Sequence, residues 1–197
     1  MRRALEAWGR ERWPDARLVH ELVVAQERRI DMAFIQPGNI VGIEIKSSRD
    51  TLDRLDEQMR VFTTHLPQVM VAVAPKWVEK STPHFSRSDT VVVHGGIVGG
   101  WPIGNRPRRR ITVQMLELLW AEEARAIAFR MRLSQNRRLT LTDAVPLLAR
   151  ALTGDEIVRE VCRELRARDA FPKSPDHPPS DPPIRLAAEP PKQPSLL

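Results

Sequence analysis

Residues 29–46 read RIDMAFIQPGNIVGIEIK, and their alternation decides the fold. Two apolar runs flank Pro37, Gly38 and Asn39, whose turn chemistry lets the runs pair as a hairpin. Successive side chains on a strand face opposite ways. Ile30, Met32 and Phe34 therefore share one face, and Asp31, Ala33 and Ile35 the other. In the second run Val41, Ile43 and Ile45 oppose Gly42, Glu44 and Lys46. Asp31, Glu44 and Lys46 are charges where apolar residues belong.

One register of this hairpin places Asp31 beside Glu44 and Lys46. Two carboxylates held together on a half-buried sheet repel each other unless a proton or a cation intervenes. Mg²⁺ is the hard, oxygen-seeking cation that suits such a pair. Lys46 adds a point charge fit for a phosphate oxygen or a water nucleophile. The competing interpretation is a surface ion pair on a solvent-facing edge, since a pattern as short as D…ExK recurs by chance.

Upstream, residues 2–13 suit a short amphipathic helix with Leu5, Trp8 and Trp13 inward, ended by Pro14. A strand is expected over 17–25, with Glu21 facing as Val19 and Val23 do, opposite to Leu18, His20, Leu22 and Val24. Glu21 is either a third acid of the site or a solvent-facing strand residue. Downstream, Ser47 and Ser48 can cap a helix from Arg49 to Leu66, in which Leu52, Leu55, Met59, Phe62 and Leu66 form one apolar stripe. Gln58 flanks that stripe on the side facing the strand edge, or is simply a polar helix residue; Arg49 and Arg54 offer phosphate contacts. Gln68 to Ala74, QVMVAVA, is the apolar run of a strand buried on both faces. A right-handed crossover from the preceding helix lays it parallel to the hairpin.

Thr90 to His94 reads as another strand, and Gly95 to Gly100 as a tight turn between short strands, without P-loop or GxGxxG spacing. Arg106 to Arg110, RPRRR, either grips phosphates or is a solvated linker. From Thr112 the chain turns helical, with Val113, Leu116, Leu119, Trp120, Ala124, Ile127 and Met131 on one broad stripe. A further helix is expected from Thr142 and Asp143, with Pro146 in its first turn. TGDE at 153–156 has the capping-box pattern and opens a last helix to about Arg168, with Ile157, Val161, Cys162 and Leu165 inward. Nine of the 17 prolines fall between Pro172 and Pro194, so that stretch is expected to be disordered. The expected division is a core over 1–110, a helical appendage over 111–169 and a disordered Pro-rich tail over 170–197.

Across 197 residues, 31 Lys+Arg against 25 Asp+Glu give a net charge of +6, with a pI near 10.4. This balance favours a polyanionic partner such as nucleic acid. The single Cys162 excludes an intrachain disulfide or a cysteine metal cluster and fits a reducing cytoplasm. No apolar run reaches the roughly 18 residues of a membrane span, and residues 1–13 are too charged for a secretory h-region. A cytoplasmic protein without membrane contact is expected.

Taken together, RIDMAF, GIEIKSSRDTLDRLDEQ and QVMVAVA resemble the PD-(D/E)xK nuclease superfamily, closest to small bacterial and phage-type members carrying EIKS-x-RDTL-x-RL-x-x-Q. LLWAEEA, Leu118 to Ala124, is similar to their helical C-terminal portion, and the resemblance covers about residues 15–135. Ile30 replaces the proline of the superfamily's name, and Phe62 stands where RecB-like members carry tyrosine. The resemblance implies a restriction-endonuclease-like α/β fold, a mixed sheet in αβββαβ order, which is also the order read from periodicity. It implies that Asp31 and Glu44 bind Mg²⁺, with Mn²⁺ substituting, that the Ile45 main-chain carbonyl completes the ligands, and that Glu21 is a candidate further ligand. The implied activity is DNA phosphodiester hydrolysis, the metal lowering the pKa of the attacking water. Lys46 would orient the nucleophile or stabilise developing charge, and Gln58 would fix the water or the lysine. Arg49, Arg54, Arg106, Arg108, Arg109 and Arg110 would hold the DNA backbone with little sequence discrimination. RNA is left open as a partner, and a homodimer is compatible. The alternative is a catalytically inactive nucleic-acid-binding or assembly module on the same fold; a third is a transcription-factor-like reader built on residues 135–168.

Overall fold

The hairpin forms as its turn chemistry demands: β2 (Arg28–Gln36) and β3 (Asn39–Lys46) pair antiparallel, with Met32 opposite Ile43 and Gln36 opposite Asn39. The computed structural model describes residues 1–25, 28–81, 89–100 and 113–169. Before the hairpin come α1 (Arg2–Arg12) and β1 (Arg17–Val24); after it come α2 (Leu55–His65) and β4 (Gln68–Val73). A 3₁₀ turn at Pro75–Trp77 leads into the short α3 (Val78–Ser81), followed by β5 (Asp89–His94) and β6 (Ile97–Gly100). A 3₁₀ segment at Val113–Leu118 then precedes α4 (Ala121–Arg130), α5 (Leu141–Ala151) and α6 (Gly154–Ala167).

β4 runs parallel to β3 and β5 parallel to β4, while β6 turns back antiparallel, so one mixed six-stranded sheet runs in the order β1-β2-β3-β4-β5-β6. The α/β class and the αβββαβ order are present, with two strands added. Gly95 and Gly96 make the β5–β6 turn at φ 58° and 84°, the doubly positive backbone that a two-residue hairpin loop needs. Ile97 to Gly100, expected within the turn, is a strand instead.

The sheet is covered on both sides. On one, Ile30, Ala33, Ile35 and Ile40 meet Leu55, Met59 and Phe62 of α2 and Ile157, Val161 and Leu165 of α6 in a single buried cluster. On the other, Met32, Phe34, Val41 and Ile43 meet Leu5 of α1, with Trp8 and Trp13 at the margin. Each such side chain, fully buried, stabilises the fold by about 1.5–3 kcal/mol. α1 lies so close that a Cβ on Gly9 would fall 2.1 Å from Phe34 Cζ. α6 is tied to the hairpin through main-chain carbonyls: Arg166 donates to Asp15 at 2.7 Å and to Ile35 at 2.9 Å, and Arg17 donates to Arg166 at 2.8 Å. Arg168 closes its end on Glu123 at 2.7 and 2.5 Å, over the Trp120 ring at 4.1 Å.

Four expectations are corrected. α2 starts at Leu55, not Arg49, because the Ser47 N–H and hydroxyl both donate to Asp50 Oδ2, at 2.7 and 2.5 Å, and close a turn there. The alternation slips by one residue at Glu21 and Asp31: Val19, Leu22 and Val24 all join the α2-side cluster, and Ile30 joins Ala33 and Ile35, parted from Met32 and Phe34. Glu21 is left-handed at φ 54°, which turns the strand about its axis at that point. The stripe over 113–131 is broken, since Trp120 is extended and its N–H donates to Glu123 at 2.7 Å, restarting the chain as α4; Val113 is 42% exposed. α5 begins at Leu141, capped by the Thr140 hydroxyl that accepts from the Asp143 N–H at 3.2 Å, so Pro146 lies inside the helix. The capping box of Thr153 and Glu156 forms as its spacing requires.

Candidate active site

Regular alternation along β3 turns Glu44 and Lys46 toward α2, where they are 3% and 8% exposed. Gln58, one turn into α2, reaches back between them. Its Oε1 accepts from Lys46 Nζ at 2.8 Å and its Nε2 donates to Glu44 Oε1 at 2.8 Å. Lys46 Nζ lies 3.0 Å from the same Glu44 oxygen. An ammonium only donates, so the amide's orientation follows from its partners. Both bonds to Glu44 fall on Oε1, leaving Oε2 without a protein partner among the described residues.

Asp31 enters from β2. Its Oδ2 accepts the Ile45 main-chain N–H at 2.7 Å, and its Oδ1 lies 3.1 Å from a guanidinium nitrogen of Arg2, in the first turn of α1. The same nitrogen donates to Glu21 Oε1 at 3.1 Å. The other terminal nitrogen donates to the Asp31 carbonyl at 3.0 Å and lies 3.3 Å from His20 Nδ1. Glu21 faces Asp31 between the pairs His20–Met32 and Leu22–Ile30. Its left-handed backbone costs about 1 kcal/mol or more, held in place by its surroundings.

Burial pushes the Glu44 carboxyl up to about 7, and the Asp31 charge adds to the rise against the opposing pull of Lys46 and Gln58. Burial likewise raises Asp31, opposed first by the Ile45 N–H and then by Arg2. Lys46 therefore leaves a demand for positive charge unmet. Two carboxylates with nearby main-chain carbonyls are hard oxygen donors, and Mg²⁺ is held in proteins by as few as one or two carboxylates. Among the described residues no three His, Cys, Asp or Glu side chains gather as a metal-binding group. Asp31 and Glu44 are nonetheless hard oxygen donors of the type that Mg²⁺ and Mn²⁺ take.

The hairpin and α2 bring Asp31, Glu44, Ile45, Lys46 and Gln58 together, while Glu21 joins them through Arg2. Arg49 and Arg54 are exposed on the loop after Lys46. Arg106, Arg108, Arg109 and Arg110 lie outside the described residues, as does the stretch 170–197. The end of β3 is braced by the Trp77 indole, donating to the Ser47 carbonyl at 2.9 Å, and by the Ala74 N–H on the Lys46 carbonyl at 2.9 Å. Sequence reasoning missed Arg2. Its signal is spacing: Arg2, Leu5 and Gly9 lie three and four apart, so the charge sits on the stripe that α1 turns to the sheet.

A family model described as Bacteriophage P4 protein cII matches residues 8–164. Protein cII of Enterobacteria phage P4 is 40% identical over 80 residues, which are 40% of this chain and 30% of that protein, so the match spans under a third of the relative's length. Among solved structures, the SPO1766 protein of unknown function from Silicibacter pomeroyi is 21% identical with a TM-score of 0.36, covering 64% of this chain and 88% of that one.

Proposed function

We propose that this chain, which belongs to the bacteriophage P4 protein cII family, is a Mg²⁺-dependent nuclease that hydrolyses DNA phosphodiester bonds, with Mn²⁺ able to substitute. One observation carries the reading: Glu44 is buried 3.0 Å from Lys46, and burial, with the nearby Asp31 charge adding to it, lifts its carboxyl to about 7. Keeping two acids so placed is costly unless a cation uses them.

Mg²⁺ held by Asp31, Glu44 and the Ile45 carbonyl would supply a Lewis acid for a phosphoryl oxygen and lower the pKa of a water. The Ile45 N–H holds the Asp31 carboxylate against rotation. Lys46 presents a fixed ammonium beside the acid pair, where negative charge develops on the phosphoryl group. Gln58 holds that ammonium and Glu44 in one geometry through a single amide. Arg49, Arg54 and the segment Arg106 to Arg110 are assigned to the DNA backbone by charge. Among the described residues no helix is long and apolar enough to cross a membrane, and a single cysteine, the buried Cys162, suits a reducing cytoplasm.

The test is supercoiled plasmid and linear duplex incubated with the full chain in Mg²⁺, Mn²⁺ or chelator. Metal-dependent cutting, lost in Asp31→Ala and Lys46→Ala, is expected; no cutting, or cutting that survives both substitutions, refutes the reading. A second reading, an inactive nucleic-acid-binding module, is favoured by the Arg2–Asp31 ion pair alone. It requires DNA binding without cleavage and a melting temperature indifferent to Mg²⁺.

A further inference from the structure

We propose that the Arg2 guanidinium and a divalent cation compete for the Asp31 carboxylate, so that cation binding releases the first turn of α1 from the sheet. The proposal rests on the metal-site reading above. Both Asp31 oxygens are engaged, but unequally. Oδ2 is held at 2.7 Å by the Ile45 main-chain N–H, on backbone fixed by its pairing with Ala72 of β4. Oδ1 is held by Arg2 at 3.1 Å, on a side chain 40% exposed. An ion pair of that exposure is weak, and an arginine cannot shed its charge. A dication on Oδ1 therefore meets a fixed positive charge within a few ångströms, and the displaceable partner is the arginine.

Release stops after one turn. Leu5 is fully buried, a Cβ on Gly9 would be 2.1 Å from Phe34 Cζ, and Trp13 lies 5.1 Å from the Phe34 ring, so the rest of α1 is pinned. What loosens is the turn closed by the Leu5 N–H on the Met1 carbonyl at 3.1 Å. Coupling of this kind is reciprocal: whatever holds that turn down weakens cation binding by the same factor.

The test uses the full chain, with Mn²⁺ as the probe. By calorimetric titration Arg2→Gln is expected to bind Mn²⁺ about fivefold more tightly than the unmodified protein. Arg3→Gln, an equal charge change at an exposed neighbour, should stay within about twofold. By residue-resolved amide exchange Mn²⁺ should speed exchange at Leu5 several-fold and leave Trp13 unchanged. Equal Mn²⁺ affinity in Arg2→Gln and the unmodified protein, or Leu5 exchange indifferent to Mn²⁺, overturns the competition while the metal site stands. No Mn²⁺ binding by either protein overturns the metal site and the competition together. Should Arg2→Gln fail to fold, Leu5 exchange in the unmodified protein decides.

Discussion

Lys46 Nζ lies 3.0 Å from Glu44 Oε1, two positions earlier on the same buried strand face. The pairing does not restore the acid to its ordinary strength: Glu44 stands near 7 in the fold against 4.5 outside it. Because the folded carboxyl is the weaker acid, folding takes up a proton between those values. This contribution is fully present below about pH 4.5 and lost as pH rises through about 7, a change of roughly 3 kcal/mol. The metal-free melting temperature should therefore fall from about pH 5 to pH 8 more steeply than that of Glu44→Gln. Mg²⁺ should narrow the gap at the upper end; parallel curves in the two proteins would exclude the effect.

Gln58 holds two charged partners with one amide. Gln58→Ala should slow DNA cleavage by about 10–100-fold, the usual cost of losing a residue that orients a metal site. It should lower stability by about 1–3 kcal/mol, since two buried charged groups each lose a hydrogen bond. Single-turnover nicking and urea melts measure the two effects; an unchanged nicking rate would remove Gln58 from the site.

Arg168 is a buried cation, its side chain 4% exposed, joined to Glu123 through both carboxylate oxygens and to the Leu118 carbonyl at 2.9 Å. Arg168→Ala strands the acid and should cost about 3–5 kcal/mol, whereas Arg168→Met with Glu123→Leu should recover much of the loss. Urea unfolding with an unchanged m-value checks both. A loss below about 1 kcal/mol in the single variant would mean that the pair is solvated.

At Gly9 two effects oppose. Alanine is the better helix former by about 1 kcal/mol, but its Cβ would meet Phe34 Cζ at 2.1 Å. Overpacking should win, with Gly9→Ala net destabilising by about 1–3 kcal/mol and relieved by Phe34→Leu. Gly38→Ala, with nothing within 4 Å of the added Cβ, is the control and should be near neutral in a thermal melt.

What was legible followed from regular periodicity. Glu44, Lys46 and Gln58 were found because β3 alternates without a slip and because α2 carries an unbroken stripe. The faces of β1 and the start of β2 were misassigned because Glu21 takes a backbone conformation that its residue type disfavours, which no count of apolar positions reveals. The start of α2 was misplaced because Ser47 and Asp50 satisfy each other locally, and propensity cannot distinguish that turn from a cap. Arg2 was missed for a different reason. The spacing of Arg2 from Leu5 and Gly9 places it on the stripe turned to the sheet, but spacing does not say which strand residues lie beneath it.

The tie between Arg166 and the Ile35 carbonyl joins positions 131 apart in the chain. Synthesis delivers them in sequence, so the strand bearing Asp31 leaves the ribosome long before the helix that closes over its back. At about 5–20 residues per second the interval is on the order of ten seconds. Through that interval the apolar face around Ile30 and Ala33 lacks the cover of Ile157, Val161 and Leu165. A ribosome stalled before α6 would therefore hold the acids of the site on an unfinished sheet.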